Sequence, residues 1–321
     1  MATIEMASRI DQWWTYRAPI FGLYTYDSAL FTTDEYGITG RPNGAYEKWR
    51  LNSYGFRGPE IQRAKDSNQL RVVCIGASET FGLYEQPGHE WPRQLEGMLQ
   101  HSGVHAEVIN AAIAGMGLHQ RTLHVQNRLL PFSPDVLVFM LEYGSYAGMT
   151  EEKLQVWHTQ PPGLPTRDGP LDGVKSLRTV SRLKDVFFPR LPVAVQQAIE
   201  ELERRVRLRA WQRDLGYKFR SIKHLRPLEV DVFKRDLEDL HHISNTAGAT
   251  VILLAPAMWF NERNLSMTYL SWPFIDESWW REAQGVLSSV AREFAEQEGF
   301  DYLDLSELVR GHEQEWMMDM L

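Results

Sequence analysis

Residues 71–82 read Arg-Val-Val-Cys-Ile-Gly-Ala-Ser-Glu-Thr-Phe-Gly. Arg71 to Ile75 is a short β-branched run closed by Gly76, the pattern of a buried strand. The residues after the glycine have the polar start of a helix, so Ser78 falls at a strand-to-helix turn.

The chain repeats this alternation outward from here. Trp91 to His101 carries apolar residues at helical spacing (Trp91, Leu95, Met98, Leu99). Ala106 to Asn110 reads as a second strand. Leu118 to Leu130 is helical, with Pro131 and Pro134 closing it. Val136 to Leu141 is a nearly continuous apolar run and the strongest central-strand signal. Thr250 to Ala255 and Phe300 to Leu305 complete the set, separated by helical stretches over about 230–247 and 278–298. Strands alternating with helices predict a three-layer α/β/α domain with a parallel sheet of about five strands, covered on both faces. In such sheets ligands bind beyond the carboxyl ends of the strands, so the residues just after each strand are the ones to inspect.

Composition narrows the class. The 321 residues are 43% hydrophobic and carry a formal net charge of −8. A mildly acidic chain argues against general nucleic-acid or anionic-membrane binding. The run Arg204 to Arg213 is a local basic exception. The single cysteine, Cys74, excludes an intrachain disulfide and reads as a small buried hydrophobe. The N-terminus lacks an apolar core of signal-peptide length. No stretch approaches the ~18 consecutive apolar residues of a spanning helix, so a cytoplasmic location is expected.

Residues 1–60 are rich in aromatics and turn residues and read as an irregular N-terminal extension packed on a main domain of residues 61–321. Residues 151–229 interrupt the alternation as an insertion. It opens with a Pro/Gly-rich loop (Gln160 to Gly173), and a charged amphipathic helix comes next over about Val193 to Leu215. That helix is read either as a cap over the strand ends or as a solvated helix on the side of the domain.

Four strand-end segments carry the candidate chemistry. The first is Gly76 to Gly82 around Ser78. The second is Asn110-Ala-Ala-Ile-Ala-Gly-Met-Gly117, whose Gly115 can bring a backbone N–H to a substrate oxygen. The third is Leu141-Glu-Tyr-Gly-Ser145, and the fourth is Trp316-Met-Met-Asp-Met-Leu321. Alone, Ser78 reads as an ordinary N-cap and Gly115 as a loop glycine at positive φ. His119 and His312 read as surface or satisfied histidines. No histidine or acid group has metal-ligand spacing, and Gly76 lacks the Lys-Ser/Thr ending of a phosphate loop. Trp259, Trp272, Trp279 and Trp280 line a pocket or pack an irregular loop. Arg57 is read as a tie between the extension and the domain, ahead of a role in anion binding.

The order of these segments, with Asn52-Ser-Tyr-Gly-Phe-Arg-Gly58 upstream, resembles the SGNH (GDSL-like) hydrolases from about residue 50 onward, apart from the insertion. The resemblance implies a flavodoxin-like fold and an esterase acting on a small-molecule ester through an acyl-serine intermediate, with no cofactor and no metal. It assigns Ser78 as nucleophile and oxyanion donor, Gly115 as the second donor and Asp319 as the triad acid. An acyltransferase and a non-catalytic binding protein are the alternatives on the same fold. Three departures accompany it. Ala77 replaces an aspartate. Gly144 stands where the family has an asparagine donor, and losing one such donor costs ~10²–10³ in rate; Tyr143, Ser145 or the insertion are the candidate replacements. The histidine oriented by Asp319 would fall at position 322, beyond Leu321, so the chain is expected to be truncated and nearly inactive on acyl esters.

Overall fold

The computed structural model describes residues 2–312, apart from Leu23, Tyr84, 160–177, 180–186, several positions between 193 and 219, 259–271 and Pro273. The first sixty residues form helix α1 (Ala2–Tyr16), the short helix α2 (Tyr26–Leu30), an antiparallel hairpin of β1 (Phe31–Asp34) and β2 (Gly37–Gly40), and a small ribbon of β3 (Ala45–Tyr46) and β4 (Trp49–Arg50). The short strands match the composition. The α1 helix does not: its residues read as irregular, yet fifteen of them are helical.

The main sheet contains β5 (Leu70–Ile75), β6 (Ala106–Asn110), β7 (Val136–Met140), β8 (Thr250–Ala255) and β9 (Asp301–Asp304) in the order β6-β5-β7-β8-β9. Every pairing is parallel. Numbered by occurrence this is the 2-1-3-4-5 order of flavodoxin-like sheets, whose switch point lies between the first and third strands. Here that point is the seam between β5 and β7, directly below Ser78.

The strands are continuous apolar runs because both sheet faces are covered. Side chains alternate between the faces with period two. Val73, Ile75, Leu137 and Phe139 share one core with helices α5 (Leu118–His124), α7 (Pro227–Ala247) and α8 (Glu277–Glu298). Val72, Cys74, Val138 and Met140 face the other way and meet Trp91, Leu95 and Leu99 of α4 (Trp91–His101). Burying these side chains supplies the fold's main driving force, at about 1.5–3 kcal/mol for each large aliphatic or aromatic residue.

Element ends follow local chemistry. Pro227 opens α7 at its first turn, where its missing N–H has no helical partner to lose. The stretch expected as one helix from Leu118 to Leu130 is instead α5, a π-turn over Val125–Leu129 and a 3₁₀ turn over Leu130–Phe132 that contains Pro131. β9 stops at Asp304, because its carboxylate accepts the Ser306 N–H and caps α9 (Leu305–Leu308). In the insertion, α6 spans Glu151–Thr159. Most of the helix expected over 193–215 lies outside the described residues.

Candidate active site

Ser78 is the first residue of α3 (Ser78–Phe81), one turn long and ended by Gly82 in the left-handed region at φ +76°. The turn is held by the Ala77 N–H donating to Glu79 Oε1 at 2.8 Å and by the Phe81 N–H donating to the Ala77 carbonyl at 2.9 Å. Only glycine fits at position 76, since a Cβ there would lie 1.9 Å from Thr80 Oγ1. The Ser78 side chain is partly exposed, and no hydrogen bond engages its hydroxyl among the described residues.

The second loop leaves β6 beside it. The Ala111 N–H donates to the Cys74 carbonyl at 3.0 Å, and the Ile113 N–H to the Gly76 carbonyl at 3.2 Å. The buried Asn110 side chain extends the stitching. Its Nδ2–H donates to the Thr80 carbonyl at 2.9 Å, while Oδ1 accepts from the Ala112 N–H at 3.3 Å. Gly115 sits at the exposed tip of this loop with φ +85°, a conformation that L side chains rarely adopt. The structure thus places Ser78 and Gly115 on two adjacent strand-end loops tied to one another. Asp319, the third residue the sequence singles out, lies outside the described residues, as does Trp259.

The end of β7 supplies the third segment. Gly144 begins a 3₁₀ turn (Gly144–Tyr146), and a Cβ on it would lie 2.7 Å from Trp280 Cη2 and 3.3 Å from the Trp272 ring. An asparagine therefore has no room at this position. Of its candidate replacements, Tyr143 is buried with its hydroxyl on Ser288 Oγ at 2.8 Å, and burial raises its pKa well above the usual phenol value. Ser145 is partly exposed. Trp279 and Trp280 belong to the core, which settles their role as packing.

Sequence spacing missed Glu142 and Arg121. Arg121 is fully buried; its Nε–H donates to the Met116 carbonyl at 2.8 Å and Nη1 to the Met140 carbonyl. Glu142 accepts the Ser145 N–H on Oε2 at 3.2 Å, and its Oε1 is shielded from solvent. Burial raises the Glu142 pKa, with Arg121 opposing that shift and Glu79 adding to it. An apolar strand flanked by isolated charges gives no periodic signal. A charged residue directly after the central strand is the one clue the sequence holds.

Arg57 is the tie the sequence suggests. Its guanidinium donates to the carbonyls of Phe81, Gly82 and Glu85 and lies 3.6 Å from Glu90. The extension also covers the site loops: Leu30, Phe31, Ile38 and Leu51 pack with Phe81, Ala112, Ile113 and Met116.

His119 is buried at the start of α5, 3.6 Å from Asp236 Oδ1, so it is not a surface histidine. Asp236 Oδ2 accepts from the Tyr146 hydroxyl at 2.6 Å. Asp239 joins them, and one potential ligand atom from each of the three lies within 4.8 Å of the others. This grouping corrects the expectation from spacing. It forms in space because α5 packs on α7. His312 is exposed. Among the described residues, no helix is long and apolar enough to cross a membrane.

The sheet order and the flanking helices define a three-layer α/β/α protein of flavodoxin-like topology. No protein-family model matches the chain, and a search of curated proteins finds no match. Among solved structures it is similar to TesA, at 13% identity and a TM-score of 0.39, covering 78% of this chain and 86% of that one. It is similar to the acetyl xylan esterase AlAXEase at 14% identity and a TM-score of 0.40, covering 76% and 82%. A mutant of Axe2, an acetylxylan esterase from Geobacillus stearothermophilus, gives 12% and 0.39 with coverage of 78% and 83%. Likeness this remote assigns no chemistry to the chain.

Proposed function

We propose that this protein is a serine esterase of the SGNH type. Ser78 Oγ attacks the carbonyl carbon of a small ester, and the Ser78 and Gly115 N–H groups receive the charge that develops on the carbonyl oxygen. The alcohol leaves, acyl-Ser78 forms, and water releases the acid. Asp319 orients a histidine expected at position 322, which takes the Ser78 proton and returns it to the leaving group. The observation that carries this reading is the stitching of the Ser78 and Gly115 loops through Ile113 and Asn110 at the switch point of the sheet.

A second reading has one specific observation in its favour. The place of the asparagine donor is filled by Trp272 and Trp280, which suits a binding protein that has lost catalysis. A fluorophosphonate probe followed by peptide mass spectrometry separates the two. In a polypeptide that carries the histidine expected at position 322, the esterase reading expects one label, on Ser78, lost in Ser78→Ala, with p-nitrophenyl acetate hydrolysis lost in the same variant. A folded protein that takes no label and hydrolyses the ester no faster than Ser78→Ala is the binding protein.

A further inference from the structure

A buried guanidinium, Arg121, and a half-buried carboxylate, Glu142, lie near the end of β7 and have no part in the acyl-transfer steps. Arg121 is 0% exposed. Two of its nitrogens bridge separate loops: Nε holds the Met116 carbonyl, next to Gly115, and Nη1 holds the Met140 carbonyl, the last residue of β7. The third, Nη2, is buried and has no hydrogen-bond partner among the described residues. Glu142 lies two residues after Met140. Its Oε2 is held by the Ser145 N–H, whereas its Oε1 is buried and has no hydrogen-bond partner among the described residues. No ion pair within 4.0 Å joins the two side chains; burial raises the Glu142 pKa, and Arg121 is the largest charge opposing that rise.

Ile75 and Phe139 are the last paired rung of β5 and β7, and Ser78 and Glu142 follow it on the segments that leave the two strands. A buried guanidinium carries a large desolvation cost and is tolerated only where its field and hydrogen bonds are compensated. The hydrogen bonds that compensate it go to the Met116 carbonyl of the second loop and the Met140 carbonyl at the end of β7.

We propose that Arg121 and Glu142 act as one positioning unit: Arg121 clamps the Gly115 loop to the end of the central strand, and Glu142 supplies the counter-charge that keeps the guanidinium in that place. The unit stands behind the oxyanion turn and acts through the Gly115 N–H rather than on the substrate. It deepens the esterase reading and rests on it for its effect on rate, though not for its effect on the loop.

The test is a double-substitution cycle with two readouts. Arg121→Gln removes the clamp, and Glu142→Gln keeps an acceptor for the Ser145 N–H while removing the charge. Each single variant is expected to slow fluorophosphonate labelling of Ser78 by at least tenfold, with the ester KM changed less than threefold. The double variant is expected to be no slower than the worse single, because parts of one unit are not additive. Hydrogen exchange of the Met116 amide, which donates to the Ile113 carbonyl at 3.1 Å, is expected to speed up at least tenfold in Arg121→Gln, while α8 is unchanged. Additive losses, or single variants labelled at the wild-type rate, overturn the proposal. If wild-type Ser78 takes no label, the esterase reading fails, and exchange alone decides this one: an unchanged Met116 amide overturns it.

Discussion

The Asn110 side chain joins the end of β6 to the Ser78 helix, its Nδ2–H on the Thr80 carbonyl at 2.9 Å. Asn110 is 1% exposed, so no water can replace either of its bonds. Asn110→Ala strands the Thr80 carbonyl and the Ala112 N–H, each at a cost of about 1–3 kcal/mol. It also frees the two loops that the proposed chemistry needs in register. Urea unfolding is expected to show a loss of about 2–4 kcal/mol, and Ser78 labelling to slow at least tenfold. A variant with the lost stability and an undiminished labelling rate would show that the stitch serves folding alone.

Arg57 makes the matching tie from the extension. Its guanidinium is 3% exposed and serves three carbonyls around the end of α3, with Glu90 as its counter-charge. Arg57→Ala leaves buried Glu90 without a cation, and breaking such a pair costs about 3–5 kcal/mol. Arg57→Lys keeps the charge but cannot reach three carbonyls with one ammonium. The expected order of unfolding midpoints is wild type, Lys variant, Ala variant. Equal midpoints for Lys and Arg would mean that charge alone matters at this position.

These ties explain what the sequence disclosed and what it withheld. The strands are legible because each of Arg71–Ile75 and Val136–Met140 is an apolar run short enough to be a strand and is flanked by turn residues. Ser78 and Gly115 stand out only through the order of their segments after the strands, since alone each reads as an ordinary cap or loop residue. The α1 helix is masked by its aromatics: Trp13 and Trp14 are exposed, so no apolar face marks it as packed. Pairings such as Arg121 with Met116 and Met140, or His119 with Asp236, depend on which helices become neighbours, and linear spacing carries no trace of that.

Glycine substitutions distinguish two kinds of constraint near the site. At Gly115 a Cβ meets open space, but φ is +85°, so Gly115→Ala costs about 1–2 kcal/mol of backbone strain. Relief of that strain would turn the proposed oxyanion N–H away. At Gly144 the backbone is ordinary, but a Cβ meets Trp280 at 2.7 Å, so Gly144→Ala overpacks the core at about 1–3 kcal/mol. The expected outcome is similar thermal destabilisation in both variants, with a much larger loss of Ser78 labelling in Gly115→Ala. Equal labelling rates would remove Gly115 from the oxyanion role.

His124 sets a pH limit on stability. It is 1% exposed, and its Nδ1 accepts from Arg128 Nη1 at 3.1 Å. Burial, with the Arg128 charge beside it, pushes its pKa down to about 3. The imidazole is therefore neutral in the folded protein across most of the acid range. In the unfolded chain it takes up a proton below about pH 6.5. Because the unfolded state binds the extra proton, stability is fully present above that pH and falls as pH drops toward 3, by about 1.4 kcal/mol per unit. Asp34, held on Arg128 and lowered in pKa, adds a loss of the same sign only below about pH 4. His124→Gln removes the first dependence and leaves the second. Its stability deficit against wild type at pH 8 is expected to shrink steadily between pH 6.5 and 4.5 in urea titrations. Parallel stability curves across that window would place the His124 proton uptake outside the folding equilibrium.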